Sequence, residues 1–292
     1  MGEEEGLKPL LFAIGIGLAL MHAVEARSQA HGTVVAAKTG ILNLKSAAAL
    51  VMDQSGQRVL YAKNEETVVP IASITKLMTA LVVLDSGLPL DEPVAISAED
   101  KDGLKHTRSR LKVGSVLARG DLLKLALMAS ENRAAAALAR AYPGGAPAFV
   151  AAMNQKTIAL GMWRTRFVDG TGLSRDNVST AQDLARLVAA AYQHPVIRRD
   201  TTDSTYTVEL GNGQRLQYSN SNRLVSNAGW EIGLSKTGYI SEAGRCLVLQ
   251  AKIAATPVII VLLDSWGKLT RIGDANRIKK WLESNRSRSP AG

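Results

Sequence analysis

Residues 47–63 read AAALVMDQSGQRVLYAK, and this stretch decides the fold class. Two runs with strand character, 47–53 and 58–63, flank the turn residues Gln54, Ser55 and Gly56, which is the pattern of a β-hairpin. An isolated hairpin is only marginally stable in water. The hairpin therefore needs further strands from elsewhere in the chain.

Further strand patterns occur only near the C-terminus, while helical periodicity fills the middle of the chain. The late strands are predicted at 205–210, 215–218, 233–240, 246–253 and 257–263. Helices are predicted from just after Pro70 to about residue 87, and at 121–130, 131–141, 146–160, 180–192 and 269–284. We expect an α/β fold of the α+β type, with one antiparallel sheet built from both chain ends, flanking helices and an inserted all-helical lobe.

This organisation divides the chain into two subdomains that together form one domain. Residues 27–65 and 205–292 are predicted to hold the sheet, and residues 66–204 to form the mostly helical subdomain. A ligand site is expected in the cleft between sheet and helices.

The N-terminus has the length and order of a signal peptide. Residues 10–21 (LLFAIGIGLALM) follow Lys8, and Val24 and Ala26 suit a cleavage site after residue 26. The twelve residues are too few for a spanning helix, which needs about 20. We expect residues 1–26 to direct export to the periplasm. The n-region of a signal peptide is normally basic, and Glu3, Glu4 and Glu5 depart from this pattern. An uncleaved anchor or a buried helix is therefore the alternative.

Composition excludes several classes of site. The chain has 292 residues and a single cysteine, Cys246, so neither an intramolecular disulfide nor a cysteine-built metal site is available. Its four histidines have no HExxH spacing, and no metal or cofactor is expected. The net charge of +9 favours an anionic partner or surface, but 4% aromatic residues leave little for base stacking, so nucleic acid is not an expected partner.

Three short polar motifs stand out against this background. The first is Ser73-Ile74-Thr75-Lys76, where positions i and i+3 share a helix face and let the lysine amine meet the serine hydroxyl. A serine becomes a good nucleophile when a neighbouring base takes its proton, and a lysine serves as that base when burial lowers its pKa. The alternative is a capping serine followed by a solvent-facing lysine.

The second motif, Ser130-Glu131-Asn132, separates two apolar helical runs. Ser130 either caps the second helix or projects into a cleft. In the cleft, the Ser130 hydroxyl would relay a proton to a leaving amine, and the Asn132 amide would bind a substrate amide.

The third motif, Lys236-Thr237-Gly238, lies inside a predicted strand. Glycine within a strand often marks close approach of another backbone or a ligand. A cation and a hydroxyl on an open strand edge suit an extended peptide that ends in a carboxylate. The alternative is a basic strand turn exposed to solvent.

The order and separation of the motifs, 57 residues from 73 to 130 and 106 from 130 to 236, match the signature of penicillin-binding proteins and class A β-lactamases. The chain resembles the low-molecular-mass penicillin-binding proteins, which are active-site-serine D,D-peptidases. Four stretches look most like the D-alanyl-D-alanine endopeptidases of the penicillin-binding protein 7/8 type: PIASITKLMTALVVLD, LALMASENRAAAALARAYPGG, TRFVDGTGLSRDNVSTAQDL and LSKTGYISEAGRCLV.

The resemblance implies a β-lactamase/D,D-peptidase-like fold and a role for each motif residue. Ser73 is the acylated nucleophile, Lys76 its base, and Ser130 a catalytic hydroxyl. Asn132, Lys236, Thr237 and Gly238 bind substrate, and the backbone N–H groups of Ser73 and Tyr239 form the oxyanion hole. The implied partners are peptidoglycan stem peptides and, as covalent inhibitors, β-lactam antibiotics, with at most peripheral membrane association.

Three other functions stay open alongside cleavage of D-alanyl-diaminopimelate cross-links. A D-alanyl-D-alanine carboxypeptidase would use the same motifs, although only 54 residues (292 − 238) follow Gly238, which favours a stand-alone catalytic domain. A class A-like β-lactamase is disfavoured because residue 131 is glutamate rather than aspartate and residues 166–174 (RFVDGTGLS) contain no deacylating glutamate. A non-catalytic peptidoglycan-binding or sensing module would have no need of Ser73, Lys76 and Ser130 together.

Two loops are also open to interpretation. Asp169 lies in a glycine-rich loop and is expected to order it rather than to react. The basic stretch 105–110 (KHTRSR), which includes His106, either borders the cleft or is a solvated loop.

Overall fold

The predicted hairpin is present and joins the late strands in a single sheet. The computed structural model describes residues 42–55, 58–211 and 213–286; the predicted signal peptide lies outside them. Within these ranges the strands are β1 (Ser46–Asp53), β2 (Val59–Lys63), β3 (Val69–Pro70), β4 (Pro93–Ala95), β5 (Val116–Ala118), β6 (Val178–Ser179), β7 (Thr205–Glu209), β8 (Arg215–Ser219), β9 (Glu231–Ile240), β10 (Gly244–Ile253) and β11 (Thr256–Ser265).

Five of these strands form an antiparallel sheet in the order β2-β1-β11-β10-β9. The N-terminal strand β1 pairs with the late strand β11, with Val51 opposite Ile260. The prediction of one sheet built from both chain ends is confirmed. β9 is the outer strand on the side opposite β2, so one of its edges has no neighbour in this sheet.

The helices are α1 (Thr75–Asp85), α2 (Arg119–Met128), α3 (Asn132–Arg140), α4 (Gly145–Ala159), α5 (Ala181–Tyr192), α6 (Pro195–Thr202) and α7 (Thr270–Arg286). All but α6 were predicted. Proline at the first position of α6 suits a helix start because its fixed φ is helical and its missing N–H is not needed there. Two pairs of very short strands, β3 with β6 and β4 with β5, were also not predicted.

Each face of the sheet is covered by a separate apolar core. On one face, residues such as Leu50, Val248 and Val261 pack in a core with α1 and α5 of the helical lobe. On the other face, Leu249 and Ile260 belong to a core with α7. Because apolar residues alternate between the two faces, the strands are fixed in register by burial on both sides.

A buried carboxylate helps join the two chain ends. Asp274 of α7 accepts hydrogen bonds from the Ser46 backbone N–H at 2.7 Å and the Ser46 hydroxyl at 2.6 Å. The Ser46 hydroxyl also contacts the Ser265 hydroxyl at 2.6 Å. The first strand, the last strand and the last helix are therefore held at one point.

The hairpin β7–β8 does not join the main sheet, so the expectation that all late strands share one sheet is wrong for this pair. Its inward side chains, Val208, Leu216 and Tyr218, belong to the core shared with the helical lobe. Tyr206 also donates a hydrogen bond to Asp121 of α2 at 2.6 Å. The apolar face of the hairpin is therefore buried in this core without the hairpin pairing with the main sheet.

Candidate active site

The first motif forms a tight turn at the start of α1. Residues 72–74 are a 3-10 turn and α1 begins at Thr75, so Ser73 lies in the turn, two residues before the helix, and Lys76 lies in the first turn of α1. Ala72 has a φ of +48°, a conformation that costs an L-residue roughly 1–2 kcal/mol. The Thr75 hydroxyl donates to the Ala72 carbonyl at 2.8 Å and supports this turn.

Lys76 meets Ser73 as the motif spacing predicted. The ammonium Nζ lies 2.9 Å from Ser73 Oγ, 2.7 Å from Asn132 Oδ1 and 2.6 Å from the Thr171 carbonyl oxygen. These three acceptors match the three donors of a lysine ammonium. The side chain is fully buried.

Burial lowers the pKa of Lys76 to about 8, while the negative charges of Asp169, Glu131 and Asp102 act in the opposite direction. An amine removed from water loses the solvation of its charged form, which favours the neutral base. Lys76 can therefore accept a proton near neutral pH, which an exposed lysine cannot do.

In the second motif, Glu131 caps helix α3 and the neighbouring Ser130 contacts the third motif. The cap of α3 is Glu131, whose carboxylate accepts a hydrogen bond from the Ala134 N–H at 2.8 Å. Ser130 does not cap the helix. It has a φ of +59°, and its hydroxyl lies 2.9 Å from Nζ of Lys236. The cleft interpretation of Ser130 is the one consistent with this geometry.

The third motif lies on β9. Nζ of Lys236 donates to Ser130 Oγ and to the Thr237 carbonyl, each at 2.9 Å. The Thr237 hydroxyl donates to Ser221 Oγ at 2.8 Å. Burial and the positive charges of Lys76 and Arg271 lower the pKa of Lys236.

Two glycines allow other chain segments to approach the turn that carries Ser73. A Cβ atom on Gly238 would lie 3.2 Å from the Ser73 backbone nitrogen, and one on Gly172, whose φ is +82°, would lie 2.1 Å from the Ala72 carbonyl oxygen. Side chains at these positions would displace the turn. The close approach predicted for the glycine of the third motif is therefore present, and the structure brings it against the first motif.

Direct contacts join all three motifs. Lys76 links the first to Asn132 of the second, Ser130 links the second to Lys236 of the third, and Gly238 lies against Ser73. The described residues contain no group of three or more histidine, cysteine, aspartate or glutamate side chains that could hold a metal ion. The arrangement provides a hydroxyl, a buried amine beside it and a second hydroxyl–amine pair, as acyl transfer through a serine requires.

A family model described as D-alanyl-D-alanine carboxypeptidase matches residues 33–267. The chain belongs to this peptidase family. It is 52% identical over 242 residues to the D-alanyl-D-alanine endopeptidase of Pseudomonas aeruginosa, covering 82% of this chain and 78% of that one. It is 44% identical over 271 residues to the D-alanyl-D-alanine endopeptidase of Escherichia coli, covering 92% and 87%.

The crystal structure of the Streptomyces K15 DD-transpeptidase superimposes on this family member with a TM-score of 0.76 and 29% identity, covering 82% of this chain and 97% of that chain. The resemblance to active-site-serine D,D-peptidases and the expected fold class are both confirmed.

Sequence reasoning missed Arg271. Its guanidinium donates to the Gly238 carbonyl oxygen at 3.0 Å and adds positive charge beside the third motif. Arg271 belongs to the predicted closing helix, and nothing in that helix's periodicity distinguishes it from the other basic residues. Its importance follows only from the packing of α7 against the sheet.

The loop after residue 167 is built around Asp169, as expected. One carboxylate oxygen accepts from the Thr171 N–H and hydroxyl and from the Gly172 N–H, and the other accepts from the Ser174 N–H, at 2.6–3.0 Å. This holds the Thr171 carbonyl toward Lys76. Asp169 therefore orders the loop that supplies one partner of the buried amine.

Proposed function

We propose that this chain is a serine D,D-peptidase that cleaves D-alanyl-diaminopimelate cross-links of peptidoglycan through a covalent acyl-enzyme. The observation that carries the proposal is the buried amine of Lys76 at 2.9 Å from the Ser73 hydroxyl. Membership in the D-alanyl-D-alanine carboxypeptidase family and similarity to relatives named D-alanyl-D-alanine endopeptidase support the substrate class.

Acylation begins when neutral Lys76 takes the hydroxyl proton of Ser73. Ser73 Oγ then bonds to the D-alanyl carbonyl carbon, and the oxyanion that forms accepts hydrogen bonds from the backbone N–H groups of Ser73 and Tyr239. Because Lys236 donates to the oxygen of Ser130, the proton of that hydroxyl is directed elsewhere and is available to the leaving amine. The C–N bond breaks as the leaving amine takes the Ser130 proton, and the proton that Lys76 took from Ser73 is passed on to the Ser130 oxygen. Water later hydrolyses the ester, which releases the acyl group as a carboxylic acid and restores the Ser73 hydroxyl.

This role of Lys76 predicts a pH profile. Below pH 8 its amine is increasingly protonated, so the second-order rate constant for acylation by a fluorescent penicillin should fall by about tenfold per pH unit. Above pH 8 the rate should level off. Stopped-flow measurements from pH 5.5 to 10 test this, and a midpoint near 10.5, the ordinary lysine value, would contradict it.

The third motif is proposed to bind the substrate carboxylate. A carboxylate beside Lys236 would offset the burial and the positive charges that lower the pKa of this lysine. It would accept a hydrogen bond from the Thr237 hydroxyl once that hydroxyl turns its proton away from Ser221 Oγ. β9 has an open edge, which suits addition of an extended stem peptide as a further strand. Asn132, in the second motif, has one amide N–H to offer a substrate carbonyl, because the other donates to Thr107.

Replacing Lys236 with methionine should remove the preference for substrates that end in a free carboxylate. We expect kcat/KM for a peptide ending in a free carboxylate to fall by about 100-fold, on the scale of a lost charge-assisted hydrogen bond. The matching C-terminal amide should lose less, only the part of the rate that depends on the hydrogen bond from Lys236 to Ser130. Lys252→Met, at an exposed position of the neighbouring strand, is the matched control; equal losses for the acid and the amide would argue against carboxylate recognition.

Peptide specificity is tested with purified cross-linked muropeptide dimers and pentapeptide monomers. We expect dimers to be converted to monomers, since three relatives that are 38–52% identical are named endopeptidases. Loss of D-alanine from monomers with dimers intact would instead indicate a carboxypeptidase, a name that other relatives at 29–31% identity carry. No cleavage of either would indicate a binding or sensing module.

A β-lactamase is disfavoured by the second motif. The carboxylate of Glu131 is engaged in capping α3, and residues 166–174 contain no glutamate. Slow release of bound penicillin is therefore expected, and turnover of many drug molecules per minute would overturn this part of the proposal.

Export to the periplasm remains part of the proposal and rests on residues 1–26 together with the cell-wall substrate. Within the described residues, none of the helices combines the length and apolarity of a membrane-spanning segment. We propose at most peripheral membrane association and no nucleic acid partner. N-terminal sequencing of exported protein tests cleavage after Ala26.

A further inference from the structure

A short loop beside the active site is wrapped around a single carboxylate. Oδ1 of Asp102 accepts hydrogen bonds from the Leu104 and Lys105 N–H groups at 2.8 and 2.9 Å. Its Oδ2 accepts from the Thr107 N–H at 2.8 Å and the Thr107 hydroxyl at 2.7 Å. This loop includes part of the basic stretch 105–110, for which the sequence allowed two interpretations, the border of the cleft or a solvated loop. The residues that the loop contacts show that it borders the site.

Asp102 is ionised at neutral pH. Partial burial acts to raise its pKa, but the hydrogen bonds from Lys105, Thr107 and Leu104 lower it to about 2. An ionised carboxylate can only accept hydrogen bonds. The Thr107 hydroxyl must therefore be the donor in its contact with Asp102.

The direction of the hydrogen bond between Thr107 and Asp102 determines the direction of the hydrogen bond between Asn132 and Thr107. Because the Thr107 proton points to Asp102, its oxygen is left to accept, and Nδ2 of Asn132 lies 3.0 Å away as the donor. The amide nitrogen of Asn132 therefore faces Thr107, and its carbonyl oxygen faces Nζ of Lys76 at 2.7 Å. The opposite amide orientation would place N–H groups against an ammonium, where no hydrogen bond can form.

We propose that Thr107, oriented by Asp102, is a positioning residue that holds the Asn132 amide with its oxygen toward Lys76 and one N–H toward the substrate. The inference rests on the proposed function. Neither Thr107 nor Asp102 contacts the reacting hydroxyl in the described residues, and the effect passes through Asn132. An amide nitrogen has two N–H groups; Thr107 uses one, and the other remains for a substrate carbonyl.

The test compares Thr107→Val, which keeps the shape of the side chain but removes the hydroxyl, with Thr107→Ser, which restores it. We expect the rate constant for acylation by a fluorescent penicillin to fall about tenfold in T107V, the scale of one lost orienting hydrogen bond. T107S should recover the rate to within about twofold of wild type. Thr207→Val, at an exposed position of β7, is the matched control and should not change the rate.

A second readout follows the amide itself. The side-chain amide NMR signals of Asn132, identified as the pair absent from N132A, should shift in T107V and return to their wild-type positions in T107S. Melting temperatures measured for each variant separate this effect from loss of folded protein.

Three results would overturn the inference: a wild-type rate in T107V, an equal loss in T107V and T107S, or unchanged Asn132 amide signals in T107V. These outcomes differ from failure of the proposed function, because that failure would show as an absence of Ser73 acylation in the wild-type protein.

Discussion

Replacing Ser73 with alanine should abolish both conversion of muropeptide dimers and covalent labelling by penicillin. The substitution removes the only atom that forms the acyl bond in the proposed mechanism, so kcat should fall by at least about 1000-fold. The turn should persist, because its hydrogen bonds come from the Thr75 hydroxyl and the backbone. Chromatography of the muropeptide products and gel fluorescence of the labelled protein measure the two losses.

Ser204→Ala is the matched control, since Ser204 is exposed and lies in none of the three motifs. It should behave as wild type in both assays. Labelling that persists in S73A at the wild-type rate would show that another residue is acylated, and the assignment of the nucleophile would be wrong.

Replacing Lys76 with arginine should remove most acylation while keeping a positive charge at the site. A guanidinium stays protonated throughout the working pH range, so it cannot take the Ser73 proton. We expect the acylation rate constant to fall by about 100-fold to 10 000-fold, the contribution typical of general base catalysis. The remaining rate should no longer rise between pH 6 and 8.

Lys76→Met provides a second variant, because arginine is larger than the fully buried side chain it replaces. Methionine has similar length and no proton-accepting nitrogen, so the same loss is expected. Circular dichroism and melting temperatures check that each variant is folded. If K76M retained the wild-type rate and pH profile, another group would have to be the base.

The parts of the site that depend on local geometry could be predicted from the sequence. Ser73 and Lys76 are three positions apart, and such spacing brings their side chains together wherever the chain becomes helical. The hairpin at 47–63 could be predicted for the same reason, because alternation and turn residues act over short distances. Its need for partner strands then predicted the closure of the sheet by the C-terminal strands.

The contacts that complete the site join distant positions and follow from tertiary packing. Lys76 reaches Asn132 across 56 residues and Thr171 across 95, and Lys236 reaches Ser130 across 106. The order of the three motifs indicated that they meet, but not which atoms would pair. Arg271 has no local signature that separates it from other polar residues on its element.

At the cap of α3 and in the β7–β8 hairpin, the local sequence pattern is compatible with more than one structure. Ser130 is a good N-cap residue by type, yet Glu131 provides the cap and frees the Ser130 hydroxyl for Lys236. The β7–β8 hairpin has ordinary strand patterning, but its apolar face packs on the helical lobe. In both cases the residue types were compatible with two structures, and the surrounding packing selected one.

Two of the seven non-glycine residues with positive φ in the described part of the chain lie in the site. Ala72 and Ser130 both adopt positive φ without being glycine, and each costs roughly 1–2 kcal/mol that the surrounding contacts must offset. Ala72 precedes the nucleophile Ser73, and Ser130 carries the second hydroxyl of the site. The strain places the two hydroxyls in the site and away from the backbone contacts they would make in regular turns or caps.

Mapping the acylated residue by mass spectrometry tests the central claim most directly. The protein is incubated with benzylpenicillin, its intact mass is measured, and a protease digest locates the adduct. We predict one penicilloyl group per chain, attached to Ser73. An adduct on Ser130 or any other residue, or no adduct under conditions in which muropeptide dimers are cleaved, would contradict the account.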